Sequence, residues 1–297
     1  MNLSGTVYRP PYEAQSFLLQ VTHGCSHNKC TFCSMYPDVR FSVCPMEEIR
    51  EDLEEAARIC PHVKRVFLEH GDAFVLSAER LLEIAAEIHK YLPEVKTIAM
   101  YASIQNIAHK TDEELRMLKE AGIGGLDIGV ESGLNEALAY MNKGHTAKEA
   151  EQQLLRLQAA GITYSFNIIL GSAGADLWKE NAEATAALLN KVQPSLLFTG
   201  TLHAEKGCQL CEDMKSGAFK ECTIGQLLDE QELLLNLLDL NDTVYFGSHP
   251  SNLVPMQAYL PKHKKEMIRY VKETRRQLKG HLDEFPVRGS EGSILNR

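Results

Sequence analysis

No apolar run in the sequence approaches the roughly 20 residues that a membrane-spanning helix needs; the longest, such as Leu233–Leu238, fall far short. The opening stretch, MNLSGTVYRPPYEAQ, has neither a basic start leading into an apolar core nor a small-residue cleavage site. A cytoplasmic location and no membrane partner are therefore expected. Positive charge is also scarce. Lys and Arg number 31 against 40 Asp and Glu, a net charge of -9 with a pI near 5.7. That balance argues against a sequence-independent grip on nucleic acid, which needs a basic face. The clearest local basic stretch, Lys262 to Arg276, reads as the solvated face of a helix. Low-complexity segments are absent. With 44% hydrophobic and 24% charged residues, the composition is that of an ordinary globular chain. Eight cysteines in a cytoplasmic chain of this length point to ligands, catalysts or buried thiols ahead of a disulfide framework.

What is present is a regular alternation. β-rich runs recur at 17–22, 64–69, 95–101, 124–130, 163–170 and 195–202, with helical patterns between them. Thr111 with Glu114, Thr146 with Glu149 and Thr223 with Gln226 have capping-box spacing. Gly122 and Gly161 follow two of these helices, each in an Ala-Gly-Ile sequence that leads into a strand. Strand–helix alternation of this kind implies a parallel sheet with helical crossovers. Six βα units are too few for a closed eight-fold barrel and suit a partial (β/α)6 barrel. The expected organisation is a partial-barrel domain over residues 1–215 and a mostly helical C-terminal extension over 216–297, with a loop at 247–261 and a flexible tail from Gly289.

The first strand leads into Gln20-Val21-Thr22-His23-Gly24, and then Cys25-Ser26-His27-Asn28-Lys29-Cys30-Thr31-Phe32-Cys33. Three thiolates in nine residues, just past the C-terminal end of a barrel strand, can wrap one metal centre. A 4Fe-4S cluster held by three cysteines leaves one iron open to an outside ligand. Spacing alone leaves a closed zinc knuckle, with His23 or His27 as the fourth ligand, as the alternative.

The nine residues resemble the radical S-adenosylmethionine (SAM) superfamily signature, C-x3-C-x-Φ-C. Phe32 fills the aromatic position, and the first gap has four residues, giving an atypical C-x4-C-x2-C. The resemblance extends over about residues 15 to 205. Glu69-His70-Gly71-Asp72 closes the second strand where the family carries the motif that receives the SAM amino group. Asp127-Ile128-Gly129-Val130-Glu131-Ser132-Gly133 and Lys143-Gly144-His145-Thr146 resemble stretches of the branch containing coproporphyrinogen dehydrogenases, Elongator-type enzymes and methylthiotransferases. This resemblance implies a radical SAM enzyme whose cluster sits on Cys25, Cys30 and Cys33 and cleaves SAM to a 5′-deoxyadenosyl radical. It assigns His70, Gly71 and Asp72 to the SAM amine, Glu131 and Ser132 to ribose or methionine, and Lys143 to the methionine carboxylate. It further assigns Asn167 to the ribose and the backbone of Leu170 and Gly171 to the adenine edge. Ser103 and Asn106, after the third strand, are further candidates, and Phe32 borders the cluster.

Such an enzyme acts on a small molecule or peptide and draws electrons from a donor such as flavodoxin or ferredoxin. A oxidoreductase, transferase or lyase subtype is left open. His203, Cys208, Cys211 and Cys222 form an H-x4-C-x2-C-x10-C pattern. Two readings of it stand, a second iron–sulfur cluster and scattered thiols. His249, in the turn-rich 247–255 segment, is the candidate substrate-facing group. The competing function class is a non-catalytic zinc or iron–sulfur scaffold or regulatory protein.

Overall fold

The computed structural model describes residues 5–204 and 206–286; the tail expected from Gly289 lies outside them. The chain has an α/β fold with a mostly parallel sheet of alternating strands and helices. Of the described residues, those within Met1–Asn28, Met35–Ile128 and Gln152–Tyr164 form one compact unit. Those within Lys29–Ser34, Gly129–Glu151 and Ser165–Arg297 form the other. Residue 215, the boundary expected from the sequence, does not separate them.

The first unit contains β1 (Phe17–Gln20), the short β2 (Thr22–His23) and β3 (Ser42–Val43), and α1 (Met46–Ile59). β4 (Arg65–Glu69), α2 (Ala78–Tyr91), β5 (Thr97–Ala102), α3 (Ile104–Ala108) and α4 (Asp112–Glu120) follow, and then most of β6 (Ile123–Glu131). β1, β4, β5 and β6 run parallel in that order, with Leu19 opposite Leu68, Phe67 opposite Ala99 and Met100 opposite Leu126. Apolar residues recur every three or four positions on the helices. Ile49, Leu53 and Ala56 on α1, and Leu81, Ile84, Ala85 and Ile88 on α2, are all buried. Burying a Leu or Ile side chain of this kind contributes about 1.5–3 kcal/mol. The Thr111–Glu114 capping box forms as expected, and Gly122 ends α4 with φ +87°, a conformation that glycine adopts without strain.

The second unit takes over at the end of β6. It includes α5 (Asn135–Tyr140), the start of α6 (Ala147–Ala159), β7 (Tyr164–Leu170), α7 (Trp178–Val192) and β8 (Leu196–Thr201). α8 (Gln209–Ser216), α9 (Ile224–Leu237), β9 (Thr243–Phe246), β10 (Gln257–Leu260) and α10 (Lys264–Gln277) complete it. β7, β8 and β9 are parallel, and β10 pairs antiparallel with β9. The extension is thus not simply helical. β9 continues the parallel pairing, and β10 lies wholly within the stretch expected to be a loop. α7 packs on α9, and Arg275 of α10 grips Asp229 of α9 with two bonds of 2.7 and 3.1 Å. Among the described residues no helix is long and apolar enough to cross a membrane.

Candidate functional site

In the first unit, β2 pairs with β3 and delivers the chain to Gly24 at φ +69°. The Gly24 N–H donates to His70 Nδ1 at 3.2 Å, and the Gly71 N–H donates to the Gly24 carbonyl at 3.1 Å. The end of β4 is thereby tied to the start of the cysteine loop. A Cβ on Gly71 would stand 2.7 Å from the Tyr36 ring and 3.1 Å from Cys25 Cβ, so the backbone approaches Cys25 as only glycine permits. His70 is buried and has φ +73°, a conformation costly for a residue with a side chain and concentrated at functional sites. The Gln20 amide bridges His70 Nε2 at 3.0 Å and His23 Nδ1 at 2.8 Å.

Asp72 is buried and accepts hydrogen bonds from Ser26, next to Cys25, and from Asn106 of α3. Burial raises its pKa to about 6, and the Ser26 and Asn106 bonds oppose the rise. Neighbouring Glu69 is also raised, to about 7, by burial. Ser103 is the N-cap of α3, its hydroxyl accepting from the Asn106 N–H at 3.3 Å.

The rest of the cysteine loop is held within the second unit. The Thr31 N–H donates to the Met141 carbonyl (3.2 Å), the Thr31 hydroxyl to the Tyr140 carbonyl (3.1 Å), and the Asn142 amide to the Lys29 carbonyl (2.9 Å). The Leu210 N–H, at the start of α8, donates to the Thr31 carbonyl at 2.9 Å. Phe32 packs against two apolar groups, Ala137–Leu138–Met141 and Ala204–Cys208–Leu210–Phe219. Lys143 Nζ lies 5.8 Å from the Phe32 ring centre and 3.1 Å from Glu131 Oε1. Burial works against the charged lysine, but Glu131 and the Cys30 and Cys33 sulfurs together hold its pKa above the ordinary lysine value.

Gly129, Glu131, Ser132 and Gly133 of the Gly-Val-Glu-Ser-Gly stretch each have a local explanation. A Cβ on Gly129 would fall 2.3 Å from Glu131 Oε1 and 3.4 Å from Lys143 Nζ, so Gly129 leaves the space that the ion pair occupies. Glu131 turns the strand end with φ +73°. A Cβ on Gly133 would meet the Ala184 carbonyl oxygen at 2.4 Å, which is how α7 comes so close. The fully buried Ser132 hydroxyl donates to Asn181 Oδ1 and accepts from the Leu134 N–H at 2.8 Å.

On β7, Asn167 is half-buried opposite Phe198 of β8. Leu170 is buried, and Gly171 follows at φ +80° with its N–H donated to Glu230 Oε2 at 2.7 Å. Glu230, Asn181, Gln20 and Tyr36 were missed from the sequence. His249 is half-buried. Its Nδ1 accepts from the Ser251 N–H at 3.2 Å and contacts Ser251 Oγ at 2.7 Å, and Ser251 Oγ accepts from the Thr201 N–H at 3.0 Å. Burial and His203 lower the His249 pKa.

The auxiliary cluster expected as one reading of His203, Cys208, Cys211 and Cys222 gains no support. Cys208 and Cys222 are buried core residues, and burial, then Glu230, pushes the Cys222 thiol far up. Among the described residues no three or more His, Cys, Asp or Glu side chains are gathered around a metal position. The case for Cys25, Cys30 and Cys33 rests on their donor set, on the glycine-only approach at Cys25, and on the lysine charge beside Cys30 and Cys33. A cluster bound by three thiolates is anionic, and a buried cation and a close backbone fit it.

A family model described as the Radical SAM superfamily matches residues 19–179. The 4'-phospho-dehydrooxetanocin synthase of Priestia megaterium is 25% identical over 243 residues, 73% of this chain and 33% of that protein. The tRNA-2-methylthio-N(6)-dimethylallyladenosine synthase of Ehrlichia canis (strain Jake) is 30% identical over 168 residues, 53% of this chain and 37% of that protein. The chain therefore spans about a third of the length of these relatives. The radical S-adenosylmethionine methyltransferase TsrM from Kitasatospora setae, solved with cobalamin and a [4Fe-4S] cluster, superposes with a TM-score of 0.59 at 14% identity, over 88% of this chain and 61% of that one. At that identity the likeness is one of fold.

Proposed function

Because the chain belongs to the radical SAM superfamily, we propose that Cys25, Cys30 and Cys33 hold its 4Fe-4S cluster and that it acts on a small-molecule or peptide substrate. Cluster and SAM together supply reductive cleavage of SAM to methionine and a 5′-deoxyadenosyl radical, which takes a hydrogen atom from that substrate. The observation that carries this reading is the Lys143–Glu131 pair beside Cys30 and Cys33, with Gly129 leaving it room.

Lys143 is the cation for the SAM carboxylate, and Glu131 keeps it charged and in place. The backbone at His70 and Gly71, close to Cys25, receives the SAM amine. Asp72 anchors the loop through Ser26. Asn167 and the Leu170–Gly171 backbone serve the nucleoside. Ser103 caps α3 and Ser132 links the end of β6 to α7, so both serve the cofactor by fixing the backbone beside it. His249 is offered for the substrate end, with Nδ1 held by Ser251. Electrons come from a flavodoxin or ferredoxin in the cytoplasm.

The test is anaerobic reconstitution with iron and sulfide, followed by dithionite and SAM. Methionine and 5′-deoxyadenosine are expected in equal amounts. A zinc-loaded protein without cluster absorbance that leaves SAM intact would instead establish the scaffold reading.

A further inference from the structure

α9 lies beyond the stretch matched by the family model, which ends at residue 179, and its Leu-rich sequence suggests packing alone. Yet Glu230, on its buried face, is 1% exposed, and among the described residues its hydrogen-bond partners include no cation. An ionised carboxylate is costly to bury unless its oxygens are satisfied. Here each oxygen accepts one bond: Oε2 from the Gly171 N–H and Oε1 from Asn181 Nδ2, both at 2.7 Å. The second Asn181 Nδ2 hydrogen goes to Ser172 Oγ at 3.3 Å, and Asn181 Oδ1 accepts from the Ser132 hydroxyl, which accepts from the Leu134 N–H.

Apart from the Ser172 branch, the donors run from the end of β6 through α7 to Glu230, the Gly171 N–H arrives from the end of β7, and a doubly accepting group is needed where they meet. Glutamine, of the same shape, would turn an N–H against either Gly171 or Asn181. Leu227, one turn earlier on α9, would lie 2.9 Å from a Cβ on Gly171, so the same helix face presses on the same turn.

We propose that Glu230 is a positioning residue for SAM: through Gly171 on one side and Asn181–Ser132 on the other, it sets the two strand ends that hold the cofactor. The inference rests on the SAM site proposed above. It makes cofactor affinity depend on a residue of α9, outside the matched barrel segment. The ligand served is the ribose and adenine of SAM at Gly171 and its methionine end at Glu131–Ser132.

The experiment compares Glu230→Gln, Ser132→Ala and the double variant with the unaltered, cluster-loaded protein. It measures SAM dissociation constants by calorimetry and by the SAM-induced change in the EPR spectrum of the reduced cluster. Iron content and melting temperature are recorded in parallel. Measured above the raised Glu230 pKa of about 7, where the group is ionised, losing one bond to a charged acceptor predicts about tenfold weaker SAM binding in Glu230→Gln at unchanged iron content. Ser132→Ala, at the far end of the chain of bonds, provides the second route should the glutamine variant fold poorly. Its loss should be of similar size, and the double variant should bind no more weakly than the weaker single one. Unchanged affinity in a folded, loaded variant, or strictly additive losses, would overturn the inference while leaving the SAM site standing. An unaltered, cluster-loaded protein that does not respond to SAM would overturn both.

Discussion

Replacing Lys143 with methionine keeps the aliphatic stem against Phe32 and removes only the charge that faces Glu131. At 3.1 Å, two unit charges in an effective dielectric of about 20 attract by about 5 kcal/mol, and desolvation of both ions offsets much of that. Stranding one member of a fully buried pair costs roughly 3–5 kcal/mol. The side chains here keep 13% and 11% exposure, which lowers the expected cost to about 2–3 kcal/mol. For a chain of 297 residues that is a melting temperature lower by about 3–5 °C. The assay is thermal unfolding of the metal-free chain, followed by circular dichroism, for Lys143→Met, Glu131→Gln and the double variant. The double variant should recover at least half of the loss, because no lone charge is left behind. A Lys143→Met protein melting within about 1 °C of the parent, or a double variant whose loss is the sum of the single ones, would refute the buried-pair argument.

Gly71→Ala forces a Cβ to within 2.7 Å of Tyr36 and 3.1 Å of Cys25 Cβ, so it should cost about 1–3 kcal/mol and lower iron uptake; uptake equal to the parent would contradict the close approach. Any one of Cys25→Ser, Cys30→Ser or Cys33→Ser should abolish the cluster absorbance, whereas Cys208→Ser and Cys222→Ser should leave iron at about four per chain, and a halving of iron in either would revive the auxiliary centre. Glu69, Asp72 and Glu230 have folded pKa values of about 7, 6 and 7, raised mainly by burial. The folded state therefore holds more protons than the unfolded chain between about pH 4 and 7, and these groups lower stability as pH rises through that window. His249, shifted down by burial and His203, opposes them, as do the exposed carboxylates of Glu87, Glu94, Glu114 and Glu149 at the acid end of the window. Melting temperatures taken from pH 5 to 8 should fall with pH, and a steady rise would show that the three carboxyls do not dominate.

Much of this was legible because local physics and tertiary packing agree. The capping boxes at Thr111 and Thr223 form as spaced, Thr146 and Glu149 exchange the equivalent bonds, and Gly122 and Gly161 both take positive φ. The six strands expected from the sequence fall within two residues of their sequence-based limits. β9 and β10 were not seen because each has only four residues and draws its stability from pairing, which no local pattern encodes. Motif glycines could be located from sequence, but not what each makes room for. Glu230 escaped notice because a glutamate in a helix reads as solvated. The available signal was its place three residues after Leu227 and four before Leu234, on the apolar stripe of α9. Ser103 and Ser132 show the converse: spacing brings a hydroxyl to a strand end without revealing that a neighbouring backbone or amide group engages it.

Pulsed hyperfine spectroscopy of the dithionite-reduced protein with SAM carrying 15N in its amino group and 17O in its carboxylate tests the central claim most directly. Coupling of both labels to the cluster is predicted, and it should vanish when any one of Cys25, Cys30 and Cys33 is replaced. A reduced cluster that shows no coupling to either label would contradict the account.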